Sequence, residues 1–166
     1  PRAGHLLAVR EPHHRHRQDA EPQALDEAGL ARVREAFVEA TRRSERLGLD
    51  LVEVHAAHGY LLHQFLSPLS NHRDDRYGGA LENRMRFPLE VFEAVRAAWP
   101  ADKPVSVRIS ATDWVEGGWD VEQSVVFARE LKARGLDVLH VSSGGLSPEQ
   151  RITVAAGYQT ALSEQI

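Results

Sequence analysis

Apolar positions along the chain fall into alternating helical and strand rhythms. Leu30, Val33, Phe37, Ala40 and Leu47 recur at helical spacing, and Gly48 follows as a stop. They predict a helix opening soon after Ala24, with those side chains inward. Leu51–Val54 is a short β-type run. The stretch from Ser67 to Gly79, rich in Asn, Arg, Asp and Gly, is predicted to be a loop. Phe87, Val91, Val95 and Ala98 mark one face of a second helix, in which Pro88 should cause a kink or displace the start. Pro104–Ile109 reads as a second strand. Asp120 and Gln123 have capping-box spacing, opening a helix with Val121, Val125, Ala128 and Leu131 inward and Gly135 at its end. Leu136–Val141 is a third strand, closed by Ser142-Ser143-Gly144-Gly145. Helix and strand thus alternate three times, which predicts βαβ units and an α/β fold with a parallel sheet. The G-x-G-x-x-G signature of a dinucleotide-binding fold is not present.

Composition narrows this picture. A chain of 166 residues suffices for one domain but falls short of the roughly 250 of a complete (β/α)₈ barrel. With 42% hydrophobic and 27% charged residues it reads as globular. A net charge of -4 argues against a nucleic-acid or membrane-surface partner. No apolar run approaches the roughly 18 residues of a membrane span. The chain has no cysteine, which excludes disulfides and thiolate metal sites within it. Residues 1–23 lack any periodicity and hold four of the nine histidines, including His13-His14-Arg15-His16-Arg17. Such a tract could bind metal; the blander expectation, and the favoured one, is an irregular or disordered leader, or a mistranslated one that is not native sequence. The chain starts at Pro1, has Met85 as its only methionine, and stops at Ile166 in what reads as the opening of a helix. An internal piece of a longer protein is therefore expected, and a targeting signal could lie outside it.

Chemistry in parallel α/β folds collects at the carboxyl ends of strands. The first predicted strand ends in His55, with His58 and Tyr60 close behind; the second carries Arg108 and Ser110; the third ends in Ser142 and the glycines. His55 and His58 fit a ligand or catalytic pair, a metal pair or polar loop caps, although no Cys, Asp or Glu ligand lies nearby in sequence. Arg108 within a strand must be paired with a carboxylate or face a ligand. Ser142–Gly145 could offer backbone N–H groups to an anion or cofactor rim, or be a plain turn.

Longer motifs go further. Val54-His55-Ala56-Ala57-His58-Gly59-Tyr60-Leu61-Leu62-His63-Gln64-Phe65-Leu66-Ser67-Pro68, then Asn71-His72-Arg73-Asp74-Asp75-Arg76-Tyr77-Gly78-Gly79 and Glu82-Asn83-Arg84-Met85-Arg86-Phe87, closely resemble the Old Yellow Enzyme family. Val107-Arg108-Ile109-Ser110 and Val141-Ser142-Ser143-Gly144 fit its next two strands, and Gly157-Tyr158-Gln159 resembles its bacterial branch. The resemblance covers Ala24 to Ile166. It implies that residues 24–166 are a partial (β/α)₈ TIM barrel, about strands four to six with their helices. It implies FMN as cofactor, NADPH or NADH as hydride donor, and an activated alkene as the small-molecule substrate. His55 and His58 would bind the substrate's carbonyl or nitro oxygen, and Tyr60 would deliver a proton to the α-carbon. Arg108 would sit at flavin N1 and O2; Ser142 or Ser143, with Gly144, would lie on the ribityl and phosphate side. No metal is implied by the pair, and the parent is expected to be a cytoplasmic homo-oligomer. The histidine pair favours simple enones, maleimides or nitroalkenes over dienoyl-CoA substrates. The Asn71–Phe87 signature is expected to be structural. Ala80 departs from the Ser or Thr usual before the helix, an expected cost of about 1 kcal/mol. A half-barrel leaves two open sheet edges, so the alternative expectation is a non-catalytic fragment or half-barrel interaction module.

Overall fold

In the computed structural model, residues 23–166 are described. All but the last residue of the histidine-rich stretch therefore lies outside the described residues. The elements are α1 (Glu27–Arg46), β1 (Val52–Ala56), α2 (Leu61–Leu66), α3 (Leu81–Ala98), β2 (Val105–Ser110), α4 (Val121–Ala133), β3 (Val138–Ser142) and α5 (Thr160–Gln165). The three strands form one parallel sheet in the order β1-β2-β3. The alternating pattern predicted this α/β order. No helix among the described residues is long and apolar enough to cross a membrane.

The strand period of two divides the sheet into an apolar and a polar face. Val54, Ala56, Val105, Val107 and Ile109 are buried against helix residues that include Phe65, Phe87, Val91, Phe92, Val95, Phe127 and Leu131. Each such side chain contributes about 1.5–3 kcal/mol of burial. The opposite phase carries Glu53 and His55, then Ser106, Arg108 and Ser110, then His140 and Ser142. Register aligns His55 with Arg108 and Arg108 with His140.

Two helix expectations change, and of the two outcomes expected at Pro88 a displaced start does not occur. In α1 the inward side holds Leu30, Val38 and Thr41, whereas Ala40 is exposed and Leu47 is a 79% exposed C-cap. The helix packs against α3, and its buried and half-buried side runs through Leu30, Val33, Phe37, Val38 and Thr41, leaving Ala40 and Leu47 outside it. In α4 the buried phase is Ser124, Phe127 and Leu131, not that of Val121 and Val125. Ser124 wins an inward place through its hydroxyl, which donates to the Ala111 carbonyl and accepts from the Trp119 indole. Pro88 lies inside α3 without displacing its start at Leu81. Its ring removes one helix hydrogen bond, and burial of Met85, Phe87, Leu89, Val91, Phe92 and Val95 offsets that loss.

The caps behave as the residue types dictate. Asp120 accepts from the Gln123 N–H at 2.9 Å, but Gln123 does not reciprocate. Its amide donates to the Gly118 carbonyl and accepts from Arg84. The Ser67–Gly79 loop is held by Asn71, whose amide donates to the carbonyls of Phe65 and Tyr77. Arg84 donates to the carbonyls of Leu66 and Gly79. Ala80 occupies the N-cap of α3 in extended geometry with no side-chain hydrogen bond. Ala80→Ser is expected to raise stability by about 1 kcal/mol. The check is a higher urea midpoint with an unchanged slope; an unchanged midpoint would show that the first-turn N–H groups are already satisfied.

Candidate active site

The carboxyl ends of the strands converge on the turn that follows β1. His55 is the penultimate residue of β1 and half-buried. The chain then turns through His58 (φ 57°) and Gly59 (φ 75°), both left-handed. That geometry is natural for Gly59 and costs about 1–3 kcal/mol at a side-chain-bearing residue. Its effect is to gather three rings. His55 lies 5.3 Å from His58 and 5.0 Å from Tyr60, between ring centroids. Tyr60 is 61% exposed, at the rim.

Several contacts hold this turn. The His58 N–H donates to Ser110 Oγ at 3.0 Å, and Ser110 in turn donates to the Gly144 carbonyl at 2.8 Å. His58 Nε2 and Ser142 Oγ are 2.7 Å apart. The His58 Nδ1 atom makes no hydrogen bond among the described residues. The turn after β1 and the loop after β3 also meet backbone to backbone. A Cβ on Gly59 would lie 2.6 Å from the Gly145 carbonyl oxygen, and one on Gly145 would lie 2.7 Å from His58 Cα.

Arg108 projects from the middle strand beside His55. Its Nε is buried with no hydrogen-bond partner, and no carboxylate pairs with it among the described residues. A buried unpaired guanidinium nitrogen is expensive, so this atom fits a group that supplies an acceptor there. Below it, Glu53 accepts from Ser106 at 2.9 Å and lies 3.1 Å from His140 Nδ1. Ser142 and Ser143 are buried, and the Gln159 amide donates to both hydroxyls. The Gly144 N–H goes to the Thr112 carbonyl and the Gly145 N–H to Gln150, so both are committed within the protein.

Electrostatics keep the histidines neutral. Burial, and then the Arg108 guanidinium, hold His58 down to about 4 from 6.5. His55 is lowered by the same two causes, with Glu53 opposing. No cluster of three or more potential metal ligands occurs among the described residues.

The structure thus brings together His55, His58, Tyr60, Arg108 and Ser142, with Ser143 and Gly144 in the adjoining loop. Sequence spacing placed Ser110 at a strand end but gave no role to His63 or Asp113. His63 and Asp113 are fully buried, 2.9 Å apart, and His63 Nδ1 accepts from the Gly59 N–H at 3.0 Å. Partners some fifty residues apart leave no local pattern to read.

In parallel α/β enzymes, sites are built at the carboxyl ends of the strands, where these polar side chains gather. The chain belongs to the NADH:flavin oxidoreductase / NADH oxidase family, that of Old Yellow Enzyme, whose sequence model matches residues 5–156. FMN and a nicotinamide donor are the cofactors of that family. It is 46% identical over 145 residues to an NADPH dehydrogenase of Clostridium acetobutylicum, covering 87% of this chain and 42% of that protein. It is 42% identical over 149 residues to an NADPH dehydrogenase of Bacillus subtilis, covering 90% and 43%. Among solved structures, morphinone reductase matches with TM-score 0.67 and 36% identity over 88% of this chain and 39% of that one. A 2-naphthoyl-CoA reductase complex matches with TM-score 0.72 and 32% identity over 80% and 21%. The chain spans about two-fifths of the length of the curated relatives it matches.

The depressed His58 carries a pH consequence. Because the folded state resists its protonation, the unfolded chain binds more protons between pH 6.5 and about 4. Stability is therefore full above 6.5 and falls as pH drops toward 4. Thermal melts of the chain and of His58→Asn across that window should diverge, the variant losing less on acidification; parallel curves would show that His58 is not held neutral.

Proposed function

We propose that this chain supplies about strands four to six of a (β/α)₈ barrel, within an FMN-dependent ene reductase. The reaction is reduction of activated C=C bonds in α,β-unsaturated carbonyl or nitro compounds, with NADPH or NADH as donor. The observation that carries this reading is the juxtaposition of three rings, His55, His58 and Tyr60, with the buried unpaired Arg108 Nε.

When bound, FMN supplies the hydride chemistry. The chain's own residues prepare the substrate for it. Neutral His55 and His58 each keep one ring N–H. In the tautomer in which Ser142 donates to His58 Nε2, the donor left for a ligand is Nδ1–H. Two N–H groups at the carbonyl or nitro oxygen stabilise the charge that develops there as the β-carbon is reduced. Tyr60 holds the proton that completes the α-carbon, a task suited to a phenol facing a strongly basic centre. Arg108, whose buried Nε has no partner among the described residues, would hold the flavin ring and supply fixed positive charge beside it. Ser142, Ser143 and Gly144 would hold the ribityl and phosphate side of FMN.

The test is NADPH-driven reduction of 2-cyclohexenone by the FMN-loaded protein. His55→Ala and His58→Ala should each raise KM about tenfold through loss of a hydrogen bond to developing charge. Tyr60→Phe should lower kcat about 10²-fold. Arg108→Ala should lose FMN on gel filtration. Unchanged KM in both histidine variants would refute the assignment of the pair.

A second reading is favoured by one observation: the outer edges of β1 and β3 have no partner strand among the described residues. It is a half-barrel that holds flavin only when paired with further strands, and it predicts a colourless, self-associating sample after incubation with FMN.

A further inference from the structure

We propose that His63 and Asp113 are positioning residues that lock the His58–Gly59–Tyr60 turn in its ligand-binding shape; the inference rests on that turn being the substrate rim. Both side chains are fully buried, His63 on α2 and Asp113 in the loop after β2. Burying an ionisable pair is unfavourable unless its hydrogen-bonding groups are used, and a leucine would fill the His63 position without that penalty. The polar ring is in place because it reaches the backbone of the turn.

The hydrogen bonds fix the direction of the contact. Since the Gly59 N–H donates to His63 Nδ1 at 3.0 Å, that nitrogen is the acceptor and the ring proton sits on Nε2. Nε2 lies 2.9 Å from Asp113 Oδ1, close but bent away from good hydrogen-bond geometry. Asp113 is itself immobilised. Its Oδ2 accepts from Ser67 Oγ at 2.6 Å and from the Trp119 N–H at 2.8 Å. The Gln64 amide grips the Gly59 carbonyl at 2.7 Å from the same helix. The Gly145 carbonyl packs against the Cβ side of Gly59, where a Cβ would lie 2.6 Å from its oxygen. Asp113, His63 and Gly59 thus form a buried chain ending one residue from His58, whose own N–H is pinned by Ser110. The charged and titratable groups around His58 are Arg108, His55, His63 and His140; of these, His63 alone bonds the turn's backbone.

The experiment is long-range ¹H–¹⁵N NMR of the histidine rings together with amide exchange, on the full chain with FMN. Wild type should show His63 protonated at Nε2 with Nδ1 bare, and His58 titrating near 4. In His63→Leu, Gly59 amide exchange should quicken about tenfold, the loss of one buried hydrogen bond, and the His58 midpoint should rise toward 6.5 as the turn loosens. His63→Asn, which keeps an acceptor at the Nδ1 position, should restore slow exchange. A His63 ring protonated at Nδ1, a His58 midpoint unmoved in His63→Leu, or Gly59 exchange that His63→Asn fails to slow would overturn the proposal; because His63 itself lowers His58, the rescue of slow exchange by His63→Asn is the readout that separates positioning from a merely structural role. If His63→Leu does not fold, the wild-type tautomer and the same readouts on Asp113→Asn decide. None of these readouts needs a substrate. Expected shifts without enone turnover would sink the enzymatic reading and keep the lock; turnover without them would sink the lock alone.

Discussion

Parallel pairing of β1, β2 and β3 in one register is the constraint on which the rest depends. Side chains alternate across a strand, so a slip of one residue exchanges the two faces. In the observed register, Val54, Val107 and their neighbours face the helices, and His55, Arg108 and His140 share a row on the other side. The apolar face decides the register because it is worth many kcal/mol of burial. The polar row is placed as a consequence. The hydrophobic core thereby fixes the chemistry without touching it.

From that row upward, precision comes from backbone contacts rather than from side-chain packing. A left-handed His58 and a glycine that tolerates no Cβ bring the turn after β1 against the loop after β3. Ser110 at the end of β2 binds both of them. Each strand end therefore contributes one anchor, and the three aromatic rings inherit their spacing from the anchors. Burial and the nearby Arg108 keep the histidines neutral.

Much of this was legible in the sequence. Strand positions followed from short apolar runs ended by polar residues, and the Asp120 cap from its spacing. The motif from Val54 to Pro68 located His55, His58 and Tyr60. Helix phase was less legible. Ala40 and Leu47 fit a 3.6 period yet face solvent, and Ser124 displaced Val125 inward because hydroxyl contacts with Ala111 and Trp119 outweighed its polarity. Pro88 sits mid-helix because tertiary burial outweighs one lost hydrogen bond. The His63–Asp113 contact joins residues from two separate βα units, and no periodicity encodes such a pair. The bare Arg108 Nε likewise appears only when the neighbouring strands are in place.

The central claim is that His55, His58, Tyr60 and Arg108 form one ligand site over a flavin. Titrating the FMN-loaded protein with 4-hydroxybenzaldehyde while recording its visible spectrum tests this most directly. The account predicts a saturable long-wavelength charge-transfer band, abolished in the His55→Ala/His58→Ala double variant although the flavin remains bound. A flavin spectrum indifferent to the phenol, or a band that persists undiminished in the double variant, would contradict it.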